Sequence, residues 1–405
     1  MLEDESGRLR LIGVALEREM LVTGCIVAVM GTEDANGDFE VIDVKVPDLP
    51  AHPAPEDLAP KSADSGGELK ASSEGHGKAA IVSGLGISGS SGDSLALDLL
   101  MEFLLGESTS PSLQATASQI TRLIIAGNSI AEGNLQPDAV NPSAASSNRK
   151  AAHSSNKKYG YDSSAYNPAP TAQLDLFLST LLPSLPVTLL PGASDPANVS
   201  IPQQPLHPAL FPHSRAYASP PTQAQPTDAP PVRKPRKVAN TYPLHPTTNP
   251  TFLTVGNNLI LGTSGQPTDD ISKYISSTPN SSPSTPAETT LDLMEATLRW
   301  RLIAPTAPDT LWCYPYQNSE PFVLEEGWCP HLYFVGNQEA FGTRVVRGEE
   351  GQEVRCVSVP RFAETGEVVV VDLETKDVSV IRFQVEGSDG AAVKEEEGKG
   401  FFDGV

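Results

Sequence analysis

The sequence predicts an α/β domain with a mostly parallel sheet, preceded by a small all-β module. Three observations carry this prediction. The first 50 residues are rich in Val and Ile and show no helical pattern. From residue 78 onwards, short apolar strands alternate with amphipathic helical patterns, an order typical of parallel sheets. Near the C-terminus, alternating apolar and polar residues predict antiparallel strands.

The N-terminal module is expected to occupy residues 1–55 and to contain three strands, in the stretches 8–16, 20–34 and 39–49. Asn36-Gly37 lies between the last two stretches and is a strong hairpin signal. Three successive strands predict a small barrel or sheet, and the abrupt start in strand-like sequence suggests that the module is incomplete at its N-terminus. Residues 56–77 are rich in Pro, Ser, Gly and charge and are interpreted as a linker.

The α/β domain is expected to span residues 78–385. Strands are predicted at "KAAIVSGLG", "RLIIAGNSI" and "PVTLLPGASDP". A helix is predicted at "DSLALDLLMEFLLG", capped by Asp93 or Ser94. A second helix places five apolar residues on one face: Leu174, Phe177, Leu178, Leu181 and Leu182.

The second half of this domain continues with a strand at "NLILGTSGQ" and a helix at "LDLMEATLRWRLIAP". One face of that helix is expected to carry Leu291, Met294, Leu298 and Leu302. Antiparallel strands are predicted at "EVRCVSVPRF" and "GEVVVVDLETKDVSVIRFQV". Insertions near 131–170 and 214–250 are predicted to be disordered, as is the acidic tail, 386–405.

Composition excludes several classes of function. The formal net charge of −22 argues against direct, non-specific DNA binding, and the sequence has no apolar stretch of membrane-spanning length. The four cysteines form no CxxC pair and are interpreted as free thiols in a reducing compartment. The basic cluster at 233–237 is interpreted as a solvated loop, with a nuclear import signal as the alternative.

Gly84, Gly86 and Gly89 match the spacing of a dinucleotide-binding fingerprint. The second strand nevertheless ends in Gly127-Asn128 and lacks the acidic residue that binds the ribose. Asp93, near the start of the following helix, would repel a phosphate. We therefore expect no nucleotide cofactor at this loop.

Four predicted strands, the last of them at "HLYFV", end in a glycine followed or preceded by short polar residues, at 83–85, 127–128, 192–195 and 336–339. The carboxyl ends of strands in an α/β sheet converge on one site. The pattern resembles the calcineurin-like metallophosphoesterases, whose strand ends carry Asp, His and Asn ligands for two metals. The resemblance places eight residues at those positions: Ser83, Leu85, Asn128, Ala193, Ser194, Asp195, Asn337 and Glu339.

Most of these residues are poor metal ligands, since Leu cannot ligate and Ser and Asn are weak neutral donors. The resemblance therefore implies a two-sheet phosphoesterase-like sandwich flanked by helices that has lost its metals. We predict no catalytic, metal or cofactor residue in the chain. The alternative is a metal-dependent phosphodiesterase with atypical ligands.

A degenerate phosphoesterase domain behind an OB-fold resembles the B-subunits of eukaryotic replicative DNA polymerases, in particular the small subunit of the delta polymerase. The phrases that carry the likeness include "LVTGCIVAVMG", "IIAGN", "IPQQPLHP", "LGTSGQ" and "PHLYFVGN". The resemblance implies a nuclear, non-catalytic scaffold in replication and repair. It would bind the C-terminal domain of the catalytic subunit and a third subunit, would meet DNA only through the complex, and would have no membrane partner.

Other polar and aromatic residues have simpler interpretations. His207 is expected to be a packed loop histidine, Asp195 and Asp309 turn or cap carboxylates, and Asp269-Asp270 a helix N-cap. Trp300 and Trp312 fit either a core or an interface. The stretch 39–46 could be an oligonucleotide-binding face, but its acidity and lack of aromatic platforms favour protein contact.

Overall fold

The computed structural model describes most of the chain, in the following ranges: 1–4, 7–17, 19–54, 58, 77–90, 94–108, 110–131, 167–218, 236–237, 242–275, 285–315, 320–385 and 391–396. The predicted linker lies almost wholly outside these residues. So do the cap candidate Asp93, most of the first insertion and the first three residues of the basic cluster.

In its described residues, the N-terminal module contains five short strands: β1 (Leu2–Asp4), β2 (Gly7–Leu9), β3 (Leu11–Ile12), β4 (Ala28–Glu33) and β5 (Phe39–Lys45). β4 and β5 pair as the hairpin predicted from Asn36-Gly37, and Gly37 adopts a φ of +85°. β3 pairs in parallel with β5 to complete a three-stranded sheet. The prediction that residues 20–34 form one strand is wrong in part, because pairing with β5 begins only at Ala28. The strand predicted over residues 8–16 is also interrupted, since Val14–Glu17 form a 3₁₀ turn.

Among the ranges given above, the α/β domain contains thirteen strands: β6 (Lys78–Val82), β7 (Ile120–Ala126), β8 (Val187–Leu190), β9 (Arg236–Lys237), β10 (Leu244–Pro246), β11 (Thr251–Val255), β12 (Asn258–Thr263), β13 (Leu332–Gln338), β14 (Gly342–Arg347), β15 (Glu353–Pro360), β16 (Glu367–Asp372), β17 (Val378–Val385) and β18 (Ala391–Glu396). Six α-helices accompany them in the same ranges: α1 (Ser94–Leu104), α2 (Pro111–Ser118), α3 (Ala169–Leu181), α4 (Gln266–Ser272), α5 (Pro286–Arg299) and α6 (Phe362–Thr365).

These strands form two sheets. One has the order β10-β8-β7-β6-β16-β17-β18, and the other has the order β14-β15-β13-β12-β11-β9. β6, β7 and β8 run in parallel, as the strand–helix alternation predicts, and β10 adds a further parallel strand beside β8. β16 and β17 are antiparallel, as predicted. β15 is antiparallel to β14 but parallel to β13, so the prediction of purely antiparallel pairing there is wrong. An alternating strand has the same pattern in either direction.

The two sheets pack face to face, and helices cover both outer faces. Neighbouring residues of β6 divide between two cores: Ala79 and Ile81 face the second sheet, whereas Ala80 and Val82 face the helices. This double burial explains the continuous apolar runs of these strands. α1, α2 and α3 cover the seven-stranded sheet, and α5 covers the other. No helix among the described residues is long and apolar enough to cross a membrane.

The helix α5 shows how local sequence fixes an element. Thr285 and Glu288 form a reciprocal capping box, and Pro286 stands at the first turn, where its missing N–H costs nothing. Leu291, Met294 and Leu298 are buried in the core that α5 covers, as predicted. Leu302 is not on this face, because the helix ends at Arg299 and Arg301 turns the chain with a φ of +57°.

Two predicted disordered segments contain ordered structure. Within 214–250, a 3₁₀ turn at Ser214–Tyr217 and the strand β10 are described, and β9 pairs with β11. Within the acidic tail, β18 adds to the edge of β17. In both cases a sheet edge offers unpaired backbone groups that a short, weakly patterned strand can satisfy.

The segment after β5 connects the N-terminal module to the α/β domain. The Asp48 carboxylate accepts a hydrogen bond from Arg299 at 2.6 Å. Arg301 donates to the carbonyls of Asp48 and Leu49, at 2.7 and 3.1 Å, and Leu49 is buried in the core under α5. The Ala51 carbonyl accepts from the Cys329 N–H at 3.1 Å.

Arg301→Ala is expected to lower the free energy of unfolding by about 2 kcal/mol, because it removes the side-chain donor of the Asp48 carbonyl, one of the two donors of the Leu49 carbonyl, and the bond to Glu326. Hydrogen exchange should show the loss of protection concentrated at residues 45–52. Arg347→Ala is the matched control, since Arg347 makes an exposed ion pair with Glu353. Equal effects of the two substitutions would contradict the role assigned to Arg301.

A stacked histidine pair holds the same segment. The rings of His52 and His331 lie 4.6 Å apart. His52 Nε2 accepts the Glu353 N–H at 3.2 Å, and His331 Nδ1 accepts the Leu259 N–H at 3.1 Å. Both bonds require neutral rings. Burial, followed by the charges of His52 and Lys376, lowers the pKa of His331 to about 4.

Because the unfolded chain binds this proton more tightly than the folded chain, stability should fall as the pH drops from 6.5 towards about 4. We expect the loss to be about 1 kcal/mol, after allowance for the solvent exposure of the ring. Urea unfolding of the wild type and His331→Gln across this window measures it. The wild type should lose more stability than the variant, and parallel pH profiles would contradict the assignment.

Candidate functional site

The carboxyl ends of the central strands of both sheets meet at one place. The Gly84 N–H donates to the Gly127 carbonyl at 2.9 Å, which joins the ends of β6 and β7. The Asn337 N–H donates to Ser83 Oγ at 2.8 Å, which joins the end of β13 to that of β6. Five of the eight residues singled out in the sequence lie in this cluster: Ser83, Asn128, Ser194, Asp195 and Asn337.

Ser83 is fully buried, and its hydroxyl forms hydrogen bonds within the protein. Besides accepting from Asn337, Oγ lies 3.2 Å from the Val359 carbonyl and 3.0 Å from the Pro360 carbonyl, to which it donates. These bonds fasten the end of β6 to the end of β15. The hydroxyl therefore serves as a structural link between the two sheets.

Asn128 and Asn337 both adopt left-handed backbone conformations, with φ values of +51° and +59°. Asparagine tolerates this region better than most side chains do. Asn128 Oδ1 accepts the Ser194 N–H at 3.2 Å. Asn337 Nδ2 donates to the carbonyls of Ala126 and Ser264, at 3.1 and 2.8 Å. Both carboxamides thus tie one strand end to another.

Asp195 is buried, and both of its carboxylate oxygens accept backbone N–H groups. Oδ1 accepts from Ile130 at 3.1 Å and Oδ2 from Gly192 at 2.8 Å. Burial raises the pKa of this carboxyl to about 6, although the backbone donors oppose the shift. The predicted role of Asp195 as a turn carboxylate matches this geometry.

The other three residues contribute no side-chain hydrogen bond to the cluster within the described part of the chain. Leu85 is buried among apolar residues under the helices. Ala193 and Glu339 are exposed. Position 84 of the glycine-rich loop requires glycine for a steric reason. Its backbone has a φ of +60°, and a Cβ there would lie 3.1 Å from the Cα of Arg361.

The residues present do not fit the pair of metals that the phosphoesterase fold implies. Ser83 and Asp195 are already committed to protein partners, and Leu85 and Ala193 have no donor atom. Among the described residues, no group of three or more His, Cys, Asp or Glu is placed to hold a metal ion. At the positions of metal ligands in a phosphoesterase, this chain has hydrogen bonds between strand ends.

A network of side-chain amides that no sequence pattern predicted lies beside this cluster. Asn249 Nδ2 donates to Gln203 Oε1 at 2.9 Å and to Gln266 Oε1 at 2.8 Å, and its Oδ1 accepts the Ser264 N–H at 2.9 Å. Gln203 and Gln266 lie within the phrases "IPQQPLHP" and "LGTSGQ". The unusual composition of those phrases was a signal, but their pairing across the fold was not visible in the sequence.

Three further sequence predictions, for Asp269-Asp270, His207 and Asp309, agree with the structure only in part. Asp269 and Asp270 are not N-caps, because α4 already begins at Gln266 and its N-cap position is Gly265. His207 is exposed rather than packed, and its Nδ1 caps a short 3₁₀ turn by accepting the Ala209 N–H. Asp309 is exposed and accepts from Thr23 Oγ1.

The two tryptophans differ in environment. Trp300 is buried, whereas Trp312 is 72% exposed. Of the four cysteines, which are free, Cys329 and Cys356 are buried and Cys25 and Cys313 are partly buried.

Comparison with known proteins agrees with this architecture. A family model that describes the B-subunits of DNA polymerases alpha and epsilon matches residues 79–343, and one that describes the OB-fold domain of a DNA polymerase delta subunit matches residues 1–44. The DNA polymerase delta small subunit of Arabidopsis thaliana is 35% identical over 95% of this chain and 72% of its own length. This chain belongs to the family of DNA polymerase delta small subunits.

Two further members of the family show similar agreement. The small subunit of Saccharomyces cerevisiae is 34% identical over 95% of this chain and 70% of its own length. The DNA polymerase delta subunit 2 of Drosophila melanogaster is 33% identical over 95% of this chain and 74% of its own length. The predicted membership in the polymerase delta small-subunit family is confirmed, and so is the fold class, an OB-fold module with a phosphoesterase-like sandwich.

Proposed function

We propose that this protein is a non-catalytic scaffold of DNA polymerase delta, which links the catalytic subunit to a third subunit in the nucleus. The observation that carries the proposal is the cluster of strand ends. There the side chains of Ser83 and Asn337 link the two sheets. Those of Asn128 and Asp195 link the segments that follow β7 and β8 within one sheet. This arrangement stabilises a rigid body and leaves too few donors for a metal-activated water.

The absence of catalysis is tested with the purified protein and a phosphodiesterase substrate in the presence of Mn²⁺. We expect neither stoichiometric manganese nor turnover. The double variant Asn128→Ala/Asp195→Asn reveals contaminating phosphatase, because background activity would be the same in both preparations. Manganese binding with turnover that the double variant abolishes would overturn the scaffold proposal and favour the phosphodiesterase with atypical ligands.

The linking role is tested by co-expression with the catalytic and third subunits of the same organism. The third subunit should co-purify with the catalytic subunit only when this chain is present. Retention of the third subunit without this chain would contradict the linking role. Failure of this chain to bind the catalytic subunit would overturn the proposal as a whole.

The exposed surface of the N-terminal module favours a protein partner over a nucleic acid. Met30 on β4 and Ile42 on β5 are 60% and 63% exposed, and Glu40 and Asp43 are exposed on the same hairpin. Apolar side chains among carboxylates suit a protein interface and repel a phosphate backbone. The charge-adding variant Met30→Glu should weaken binding to the other polymerase subunits without lowering the melting temperature.

A nuclear site of action is a further part of the proposal. A fluorescently tagged copy of the chain should accumulate in the nucleus, and steady exclusion from it would contradict this part. Alanine substitution of the cluster at 233–237 then decides whether import depends on those basic residues or on entry with a partner.

A further inference from the structure

A threonine followed by a proline stands at the start of α5. Thr285 and Pro286 are both exposed, and Thr285 has an extended backbone with a φ of −66° and a ψ of 155°. The chain contains five Ser-Pro or Thr-Pro dipeptides, and three of them lie within residues 278–286. Pro283 adds a second proline two residues before Thr285. Proline-directed protein kinases recognise an extended Ser-Pro or Thr-Pro dipeptide of this kind.

The hydrogen bonds of the Thr285 hydroxyl are long and local. Oγ1 accepts the Glu288 N–H at 3.3 Å and donates to Glu288 Oε2 at 3.1 Å, and each distance is beyond the usual range for a bond of its type. Both residues are exposed, so water can replace these bonds when the hydroxyl turns outwards. The first turn of a helix also has few internal hydrogen bonds to lose. An enzyme can therefore reach this hydroxyl by opening a single turn of α5.

The start of α5 already holds an anion, which is the carboxylate of Glu288. Its Oε2 accepts the Thr285 N–H at 2.9 Å and the Thr285 hydroxyl at 3.1 Å. These two bonds, followed by the charge of Arg344, lower the pKa of Glu288 against the effect of desolvation. The N–H groups and the dipole of a helix N-terminus favour negative charge. A phosphate on Thr285 would meet the same favourable environment and would compete with Glu288 for it.

We propose that Thr285 is phosphorylated by a proline-directed kinase and that the phosphate replaces Glu288 in capping α5. Thr285 Oγ1 forms a bond to the γ-phosphorus of ATP, the bond from that phosphorus to the bridging oxygen breaks, ADP leaves, and the hydroxyl proton passes to the catalytic base of the kinase. The phosphate carries a charge of about −1.5 to −2 and repels the Glu288 carboxylate. It accepts the N–H groups of the first turn instead. The inference goes beyond the scaffold function and does not depend on it.

The modification is tested by incubating the full chain with a purified mitogen-activated protein kinase and ATP, and by locating the phosphate with mass spectrometry. We expect phosphate on Thr285, its retention in Thr285→Ser and its loss in Pro286→Ala. Thr289 is exposed one turn further along α5 and is not followed by proline, so it should stay unmodified. Equal labelling of Thr289, full labelling of Pro286→Ala, or no labelling of Thr285 would overturn the proposal. So would the absence of phosphate from Thr285 in protein isolated from dividing cells of its own organism.

The exchange of caps is tested by thermal melts of Glu288→Gln with and without the phosphate. In the unmodified protein the substitution removes a charge that the helix N-terminus favours, so the melting temperature should fall. In the phosphorylated protein it removes a like charge beside the phosphate, so the melting temperature should rise. Glu107→Gln removes an exposed carboxylate outside α5 and should shift both forms equally. A shift of the same sign in both forms of Glu288→Gln would contradict the replacement of Glu288 by the phosphate.

Discussion

Gly127→Ala is expected to lower the free energy of unfolding by about 3 kcal/mol or more, with the loss measured by chemical denaturation. Gly127 adopts a φ of +81°, which strains any side chain. A Cβ there would lie 2.5 Å from Ser264 Cβ and 2.9 Å from Gly192 Cα. Neither neighbour is the free end of a flexible side chain, so the strand ends themselves would have to separate.

Gly106→Ala is the matched control. Gly106 follows α1 and has a similar φ of +75°, but a Cβ there would have nothing within 4 Å. Its substitution should cost about 1 to 2 kcal/mol from backbone strain alone. If the two variants are equally destabilised, close approach of the strand ends is not what requires glycine at position 127.

The same steric requirement applies at other strand ends. Gly127, Gly192 and Gly336 each lie where a Cβ would be less than 3 Å from the backbone of another strand end. The requirement is therefore steric and independent of any bound metal.

The regular elements were predictable because burial imposes a period on the sequence. The strand–helix alternation of β6 to β8 predicted a parallel sheet, and the apolar face of α3 was identified residue by residue. Periodicity fails where an element is short or where the chain turns. Leu302 continues the apolar spacing of α5, but a left-handed Arg301 takes it off the helix. β9 and β10 are too short to show any pattern.

The position of the candidate site could be predicted from the sequence, whereas the hydrogen-bond partners of its residues could not. Strand ends of one sheet converge by topology, so their residues could be named from sequence. The bonds that join Ser83 to Asn337 and Asn337 to Ala126 each link residues more than two hundred positions apart, on different sheets. Contacts of this kind depend on the packing of the sheets, which no local pattern encodes.

The stability of the wild type relative to Asp195→Asn is expected to fall by about 3 kcal/mol as the pH rises from below 3.8 to above about 6. The folded-state pKa of Asp195 is raised to about 6 from 3.8. Between these values the folded chain holds a proton that the unfolded chain has lost, so stability decreases with rising pH. The variant has no titrating group at this position and provides the baseline.

The measurement is urea unfolding of both proteins at several pH values across that window. The loss of one accepted N–H in the variant, from Ile130 or Gly192, adds a penalty that does not change with pH and therefore leaves the slope unaffected. His331 acts with the opposite sign over an overlapping range, but it is present in both proteins and cancels in the difference. A difference that stays constant with pH would show that the backbone donors fully offset the burial of the charge.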